Sequence, residues 1–177
     1  MTLTLASALV LTGCTAPPPQ TVAVSSPTVA PVFASDEEAL AAAVEAYEKY
    51  LAVSDQIAQE GGAGADRFED VVTDEWLASE RHSAEVLASS GLRQVGTTTF
   101  NGMRLQQMQH SDQLTSVVTY ACLDLAGVEF VDSATGSNAV RPKVLMVPVE
   151  VSFQTSDANP RSLVVGGNGP WSNVNLC

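Results

Sequence analysis

Leu40, Val44, Tyr47 and Leu51 recur at spacings of four and three, the period of a helix with one apolar face. The predicted helix opens at Ser35, which makes a capping box with Glu38, and Asp36 to Glu38 place negative charge on its first turn. It runs to about Gln59, where Gly61, Gly62 and Gly64 break it. A short helix around Asp66 to Val72 comes next. Thr73 then reads as the N-cap of a third helix, with Trp76, Leu77, Ala84 and Leu87 inward and Gly91 as its stop.

From Leu92 onward the texture changes to β-branched residues in alternation. The predicted strands are Arg93–Phe100, Met103–Gln109, Leu114–Leu125, Val128–Asp132, Lys143–Gln154, Ser162–Val165 and a short Trp171–Leu176. Asn101-Gly102 is a two-residue hairpin signal. Ser133 to Asn138 reads as a turn, and Gly166-Gly167-Asn168-Gly169-Pro170 as a wide turn before Trp171. Helices first and an antiparallel sheet second predict an α+β domain with its helices on one face.

Ahead of that domain lies a different texture. Leu3 to Thr12 is an uncharged apolar run of about ten residues, the length of a signal-peptide core. It is too short to cross a bilayer, which takes roughly 18 apolar residues or more. The run ends in Leu11-Thr12-Gly13-Cys14, which reads as a lipobox. Small Gly13 admits the backbone to a narrow peptidase site, and the Cys14 thiol supplies the atom to be acylated. No Lys or Arg precedes the run, although export signals begin with one. The expected start therefore lies upstream of Met1, the other reading being a defective signal.

Thr15 to Ala34 contains Pro17, Pro18, Pro19, Pro27 and Pro31 and no charge, so it cannot bury enough apolar surface to fold. As a tether it would span roughly 25 Å when flexible and about 60 Å as a polyproline helix. The expected organisation is a signal peptide over 1–13, a lipidated Cys14 with its tether over 14–34, and one domain over 35–177. A diacylglyceryl group with a further acyl chain, such as palmitate, meets the two-anchor requirement for stable attachment. These features predict residence at the outer face of the cytoplasmic membrane.

The net charge of −12 is unevenly placed. Most of the 20 acids lie between Asp36 and Glu85, against only Lys49, Arg67 and Arg81. That balance argues against nucleic acid, whose binding needs basic side chains to displace counterions. It also disfavours direct docking on anionic headgroups. With Cys14 acylated, Cys122 and Cys177 remain, and an exported domain can pair them. Two unpaired buried thiols are the other reading. No Cys or His pair has metal-ligand spacing, and no cofactor is expected.

The element order of a long helix, shorter helices and a sheet resembles the nuclear-transport-factor-2-like superfamily over roughly Asp36 to Cys177. That resemblance implies a cone, in which helices pack on a strongly curved, mainly antiparallel sheet. The chain also resembles exported actinobacterial lipoproteins of unassigned role. The shared features are the lipobox, the Pro/Ser/Thr tether and a Tyr-x-Cys-x-Asp strand, here Tyr120, Cys122 and Asp124, whose Cys is matched by Cys177.

Tyr120, Cys122 and Asp124 share one face of a strand, since strand side chains alternate. If that face lined the hollow of a cone, Asp124 would be a proton-transferring base and Tyr120 a donor to a developing oxyanion. The resemblance to isomerases and dehydratases of the superfamily implies this chemistry. The candidate pocket is Tyr120, Asp124 and Trp171.

The other candidates are thin. Asp66, Glu69, Asp70, Asp74 and Glu75 form a carboxylate cluster without a calcium-loop pattern, and His82 and His110 have no neighbouring ligand. There is no Gly-x-Ser-x-Gly elbow. The expected function is a tethered, non-catalytic binding or scaffolding domain for an envelope protein or small ligand. The alternative is an isomerase- or dehydratase-type enzyme using Asp124. A third reading, a subunit of a transport or cell-wall assembly, predicts an exposed apolar patch on the sheet's outer face.

Overall fold

Ser35 opens the first helix as the sequence requires. In the computed structural model, its Oγ accepts the Glu38 amide at 3.3 Å, while the Glu38 carboxylate accepts the Ala34 amide at 2.7 Å. The structure describes residues 32–111, 114–156, 159–172 and 177, so the lipobox at Cys14 and most of the tether lie outside the described residues. Phe33, assigned by sequence to the tether, is buried in the core.

Helix α1 spans Asp36–Gln59, a 3₁₀ segment spans Ala65–Asp70, and α2 spans Asp74–Ser90. Thr73 caps α2 by accepting the Trp76 amide at 3.3 Å. Gly91 ends it in the left-handed region at φ 69°. The strands are β1 Leu92–Val95, β2 Thr99–His110, β3 Thr115–Asp124, β4 Glu129–Asp132, β5 Met146–Ser156 and β6 Asn159–Pro170. Among the described residues they form a four-stranded sheet in the order β2-β3-β5-β6 and a two-stranded sheet of β1 and β4, with these strands paired antiparallel. The chain is therefore an α+β protein, with two helices packed against antiparallel sheets.

The core sits between the helices and the inner face of the larger sheet. Val117, Ala121, Val149, Val151, Phe153 and Val165 meet Ala39, Ala43, Tyr47, Tyr50 and Leu51 of α1 there. The buried row of α1 runs Ala39, Ala43, Ala46, Tyr47, whereas Leu40 and Val44 are only half-buried. The helix is thus rotated from the expected face. Its alanines let the backbone approach the sheet, and its tyrosines fill the space beyond. Tyr47 meets Phe100 edge-on at 4.9 Å between centroids and Phe153 at 6.4 Å.

Three local expectations are corrected. Asn101-Gly102 does not reverse the chain but lies inside β2, where the pairing register with β3 slips between Asn101 and Arg104. β2 must run on to His110 to match the length of β3, so Gly102 at φ 64° bends the strand instead. The reversal falls after His110, where the Ser111 amide donates to the Leu114 carbonyl at 2.8 Å.

The predicted strand Arg93–Phe100 is divided at Gly96, whose φ is 84°. A Cβ there would lie 1.8 Å from the Gly127 carbonyl oxygen, so this crossing of two loops requires glycine. The Gly166–Pro170 run is not a turn but the second half of β6. One residue, Gly166, is extra between the pairs Phe153↔Val165 and Ser152↔Gly167. That bulge re-aims the strand, so that Val165 and Asn168 both face the helices. Trp171 follows β6 outside any strand, and 173–176 lie outside the described residues.

Asp55 ties α1 to the sheet crossing. It is 7% exposed, and its carboxylate accepts Gln94 Nε2 at 2.6 Å, the Thr98 amide at 2.7 Å and Thr98 Oγ1 at 2.8 Å. Bonds of this kind, with one partner charged, contribute about 1.5–3 kcal/mol each. Cys122 and Cys177 form a disulfide with Cα atoms 5.6 Å apart. In the chain-entropy model, closing a loop of this length contributes on the order of 4 kcal/mol.

Candidate functional site

A polar chain runs through the inner core. Tyr47 Oη donates to Asn168 Oδ1 at 3.3 Å, and Asn168 Nδ2 donates to Tyr50 Oη at 3.4 Å. Tyr50 Oη donates in turn to Glu80 Oε1 at 2.8 Å, and Trp76 Nε1 donates to the same oxygen at 2.7 Å. Tyr47 is fully buried, Tyr50 is 4% exposed and Glu80 is 8% exposed. Burial raises the Tyr47 phenol above its ordinary pKa, and burial followed by the Glu80 charge does the same to Tyr50.

Glu80 also lines a cleft of about 100 Å³ between α1 and α2, with Ser54, Ile57, Ala58, Phe68, Ser83, Ala84 and Leu87. Gly62 brings the two helices together there, since a Cβ on it would lie 2.2 Å from the Ala84 carbonyl oxygen.

Periodicity marks both buried acids in retrospect. Glu80 falls four residues after Trp76 and four before Ala84, and Asp55 falls four after Leu51, so each interrupts an apolar stripe. A carboxylate in such a stripe is the signal that hydropathy alone passes over. Asn168 gave no such signal, because its inward direction depends on the Gly166 bulge.

The predicted trio lies elsewhere. Val117 and Ala121 of β3 face the core, so Tyr120, Cys122 and Asp124 occupy the sheet face turned away from the helices. Cys122 is buried beneath its bond to Cys177. The Tyr120 ring stacks on Trp171 at 3.9 Å between centroids, so the structure brings these two predicted pocket residues together. Burial, then the bond and charge of Glu150, raise the Tyr120 phenol. Asp124 Oδ1 accepts the Ala126 amide at 2.8 Å, closing the turn after β3.

The acidic cluster is divided by its partners. Asp66 Oδ1 lies 3.2 Å from Arg81, which also pairs closely with Glu69. Glu69, Asp70, Asp74 and Glu75 line an open hollow of about 450 Å³ with Thr73, Gln154 and Thr155. Among the described residues no three His, Cys, Asp or Glu side chains gather as metal ligands do. His82 is exposed, and His110 Nδ1 lies 2.9 Å from Thr115 Oγ1. A third hollow of about 530 Å³ lies where Asp36, Glu37 and Leu40 approach Leu105–Met108 of β2. No described helix is long and apolar enough to cross a membrane.

In architecture the chain is similar to the intermembrane-space region of the chloroplast protein ARC6. The TM-score is 0.54 at 11% identity, over 74% of this chain and 95% of that one. A likeness at that identity concerns the fold alone. No protein-family model matches the chain, and no curated protein matches it.

Proposed function

We propose that this chain is a lipoprotein tethered through Cys14 to the outer face of the cytoplasmic membrane, with a non-catalytic binding or scaffolding domain. Its fold is read as a cone of the nuclear-transport-factor-2-like kind, on the element order of helices followed by an antiparallel sheet. The tether reading rests on Leu11-Thr12-Gly13-Cys14 and the uncharged proline-bearing stretch after it.

One observation carries the non-catalytic half. The space between the helices and the sheet is filled by Tyr47, Tyr50, Phe68 and Phe153, while Asp124 closes a turn on the opposite face. An acid–base pair of Asp124 and Tyr120 would need a substrate on that outer face, beside the stacked Trp171. The disulfide suits a compartment outside the cytoplasm.

Cell fractionation of a Cys14→Ser variant tests the anchor. The variant is expected in the soluble or secreted fraction, and unchanged membrane retention would overturn the lipidation. Mass spectrometry of the native amino terminus adds a direct readout, with an acylated Cys14 as the expected first residue.

A further inference from the structure

We propose that the cleft between α1 and α2 receives a lysine side chain from a basic partner protein, with Glu80 as the counter-charge. The inference rests on reading this chain as a binding domain and names the chemistry of what it binds.

Three observations carry it. Glu80 is a nearly buried carboxylate that forms no ion pair among the described residues. The helical half contains three Lys or Arg residues, each engaged elsewhere: Lys49 with Glu45, Arg67 with Glu60, and Arg81 with Asp66 and Glu69, while His82 is exposed to solvent. The cleft is small, about 100 Å³, and is lined by Ile57, Ala58, Phe68, Ala84 and Leu87 with Ser54 and Ser83. An apolar shaft with a carboxylate among its lining residues matches an aliphatic stem that ends in a cation. Third, both donors to Glu80 converge on Oε1, so the carboxylate cannot also present two free oxygens to the fork of an arginine. A point-charge ammonium needs only one carboxylate oxygen, which favours lysine. The surplus of acids between Asp36 and Glu85 would steer a basic partner towards this side.

The test uses the full chain carrying Trp171→Phe, so that the one remaining indole Nε1–H resonance belongs to Trp76. Nα-acetyl-lysinamide is titrated against the same compound acetylated on Nζ. The charged probe is expected to shift the Trp76 resonance saturably, and the neutral one to bind at least about tenfold more weakly. Glu80→Gln keeps an acceptor for Tyr50 and Trp76 but removes the charge, and should weaken the charged probe by about tenfold or more. Ser83→Phe, an exposed position on the cleft wall, should block it with the far-ultraviolet spectrum unchanged.

Equal binding of both probes, full binding by Glu80→Gln, or no saturable shift would each overturn the lysine site. None of these results touches the tethered-binder reading, which fails separately if Cys14→Ser stays on the membrane.

Discussion

Tyr50 and Glu80, thirty positions apart in the chain, meet at 2.8 Å between α1 and α2. The bond spans the interface between the helices and shares its acceptor oxygen with Trp76. Removing the carboxylate therefore strands two donors, the buried Tyr50 hydroxyl and the half-buried Trp76 indole. Glu80→Ala is expected to lower unfolding free energy by about 2–6 kcal/mol, at about 1–3 kcal/mol for each unpaired group. Glu80→Gln, which keeps an acceptor, should cost under about 1.5 kcal/mol. Urea unfolding followed at the tryptophans separates the two, and equal losses would show that the bonds contribute little.

Thr119 presents the opposite case. It is fully buried on the inner face of β3, and its Oγ1 has no partner among the described residues. An unpaired buried hydroxyl carries a desolvation penalty of roughly 1–3 kcal/mol. Replacing it with the methyl of valine should stabilise the protein, by about 1 kcal/mol once imperfect packing is allowed for. A Thr119→Val variant that unfolds at lower denaturant than wild type would refute this.

Two glycines with similar backbone angles should respond differently to alanine. At Gly102, φ is 64° and nothing lies within 4 Å of a built Cβ, so only the left-handed strain of about 1–2 kcal/mol applies. At Gly96, φ is 84° and the Cβ meets the Gly127 carbonyl. The loops must separate there, which also strains the Asp55 bonds to Thr98. Gly96→Ala is expected to be worse than Gly102→Ala by about 2 kcal/mol or more. Comparable melting temperatures for the two would contradict that close crossing.

Alkali should unfold the protein through its tyrosines. Burial raises the phenols of Tyr47 and Tyr50, whereas an unfolded tyrosine ionises near pH 10. Below that value both states are protonated and the full stability is present. Above it the unfolded chain releases protons first, so stability falls as pH rises. The Tyr47 and Tyr50 share of the tyrosinate absorbance should therefore appear together with loss of the near-ultraviolet signal. A smooth titration of all three tyrosines around pH 10 in the folded state would exclude this burial.

The sequence carried the helices well because their signals are local. Ser35, Thr73 and Gly91 act within one turn of themselves, and each does in the fold what its residue type suggests. The face that α1 buries was less legible. Leu40 and Val44 are more apolar than Ala39 and Ala43, but only small residues allow the close approach that the sheet makes.

Strand geometry was hidden for a related reason. Gly102 and the Gly166–Pro170 run look like turns in isolation, and only the lengths of their partner strands make them bends and bulges. The outer-face position of Tyr120 and Asp124 depends on which side of β3 the helices cover, a global property that alternation cannot assign. The pairing of Cys122 with Cys177 was legible from the cysteine count together with the expectation of export.

β2 has a consequence if the proposed tether holds copies close together. It forms one border of the larger sheet, and its register slips twice, between Asn101 and Arg104 and again between Leu105 and Gln107. A border that kinks at two places and carries Gln106, Gln107 and Gln109 offers no straight ladder for a sister molecule to zip onto. Even at high local concentration, such a border is a poor template for edge-to-edge pairing between copies.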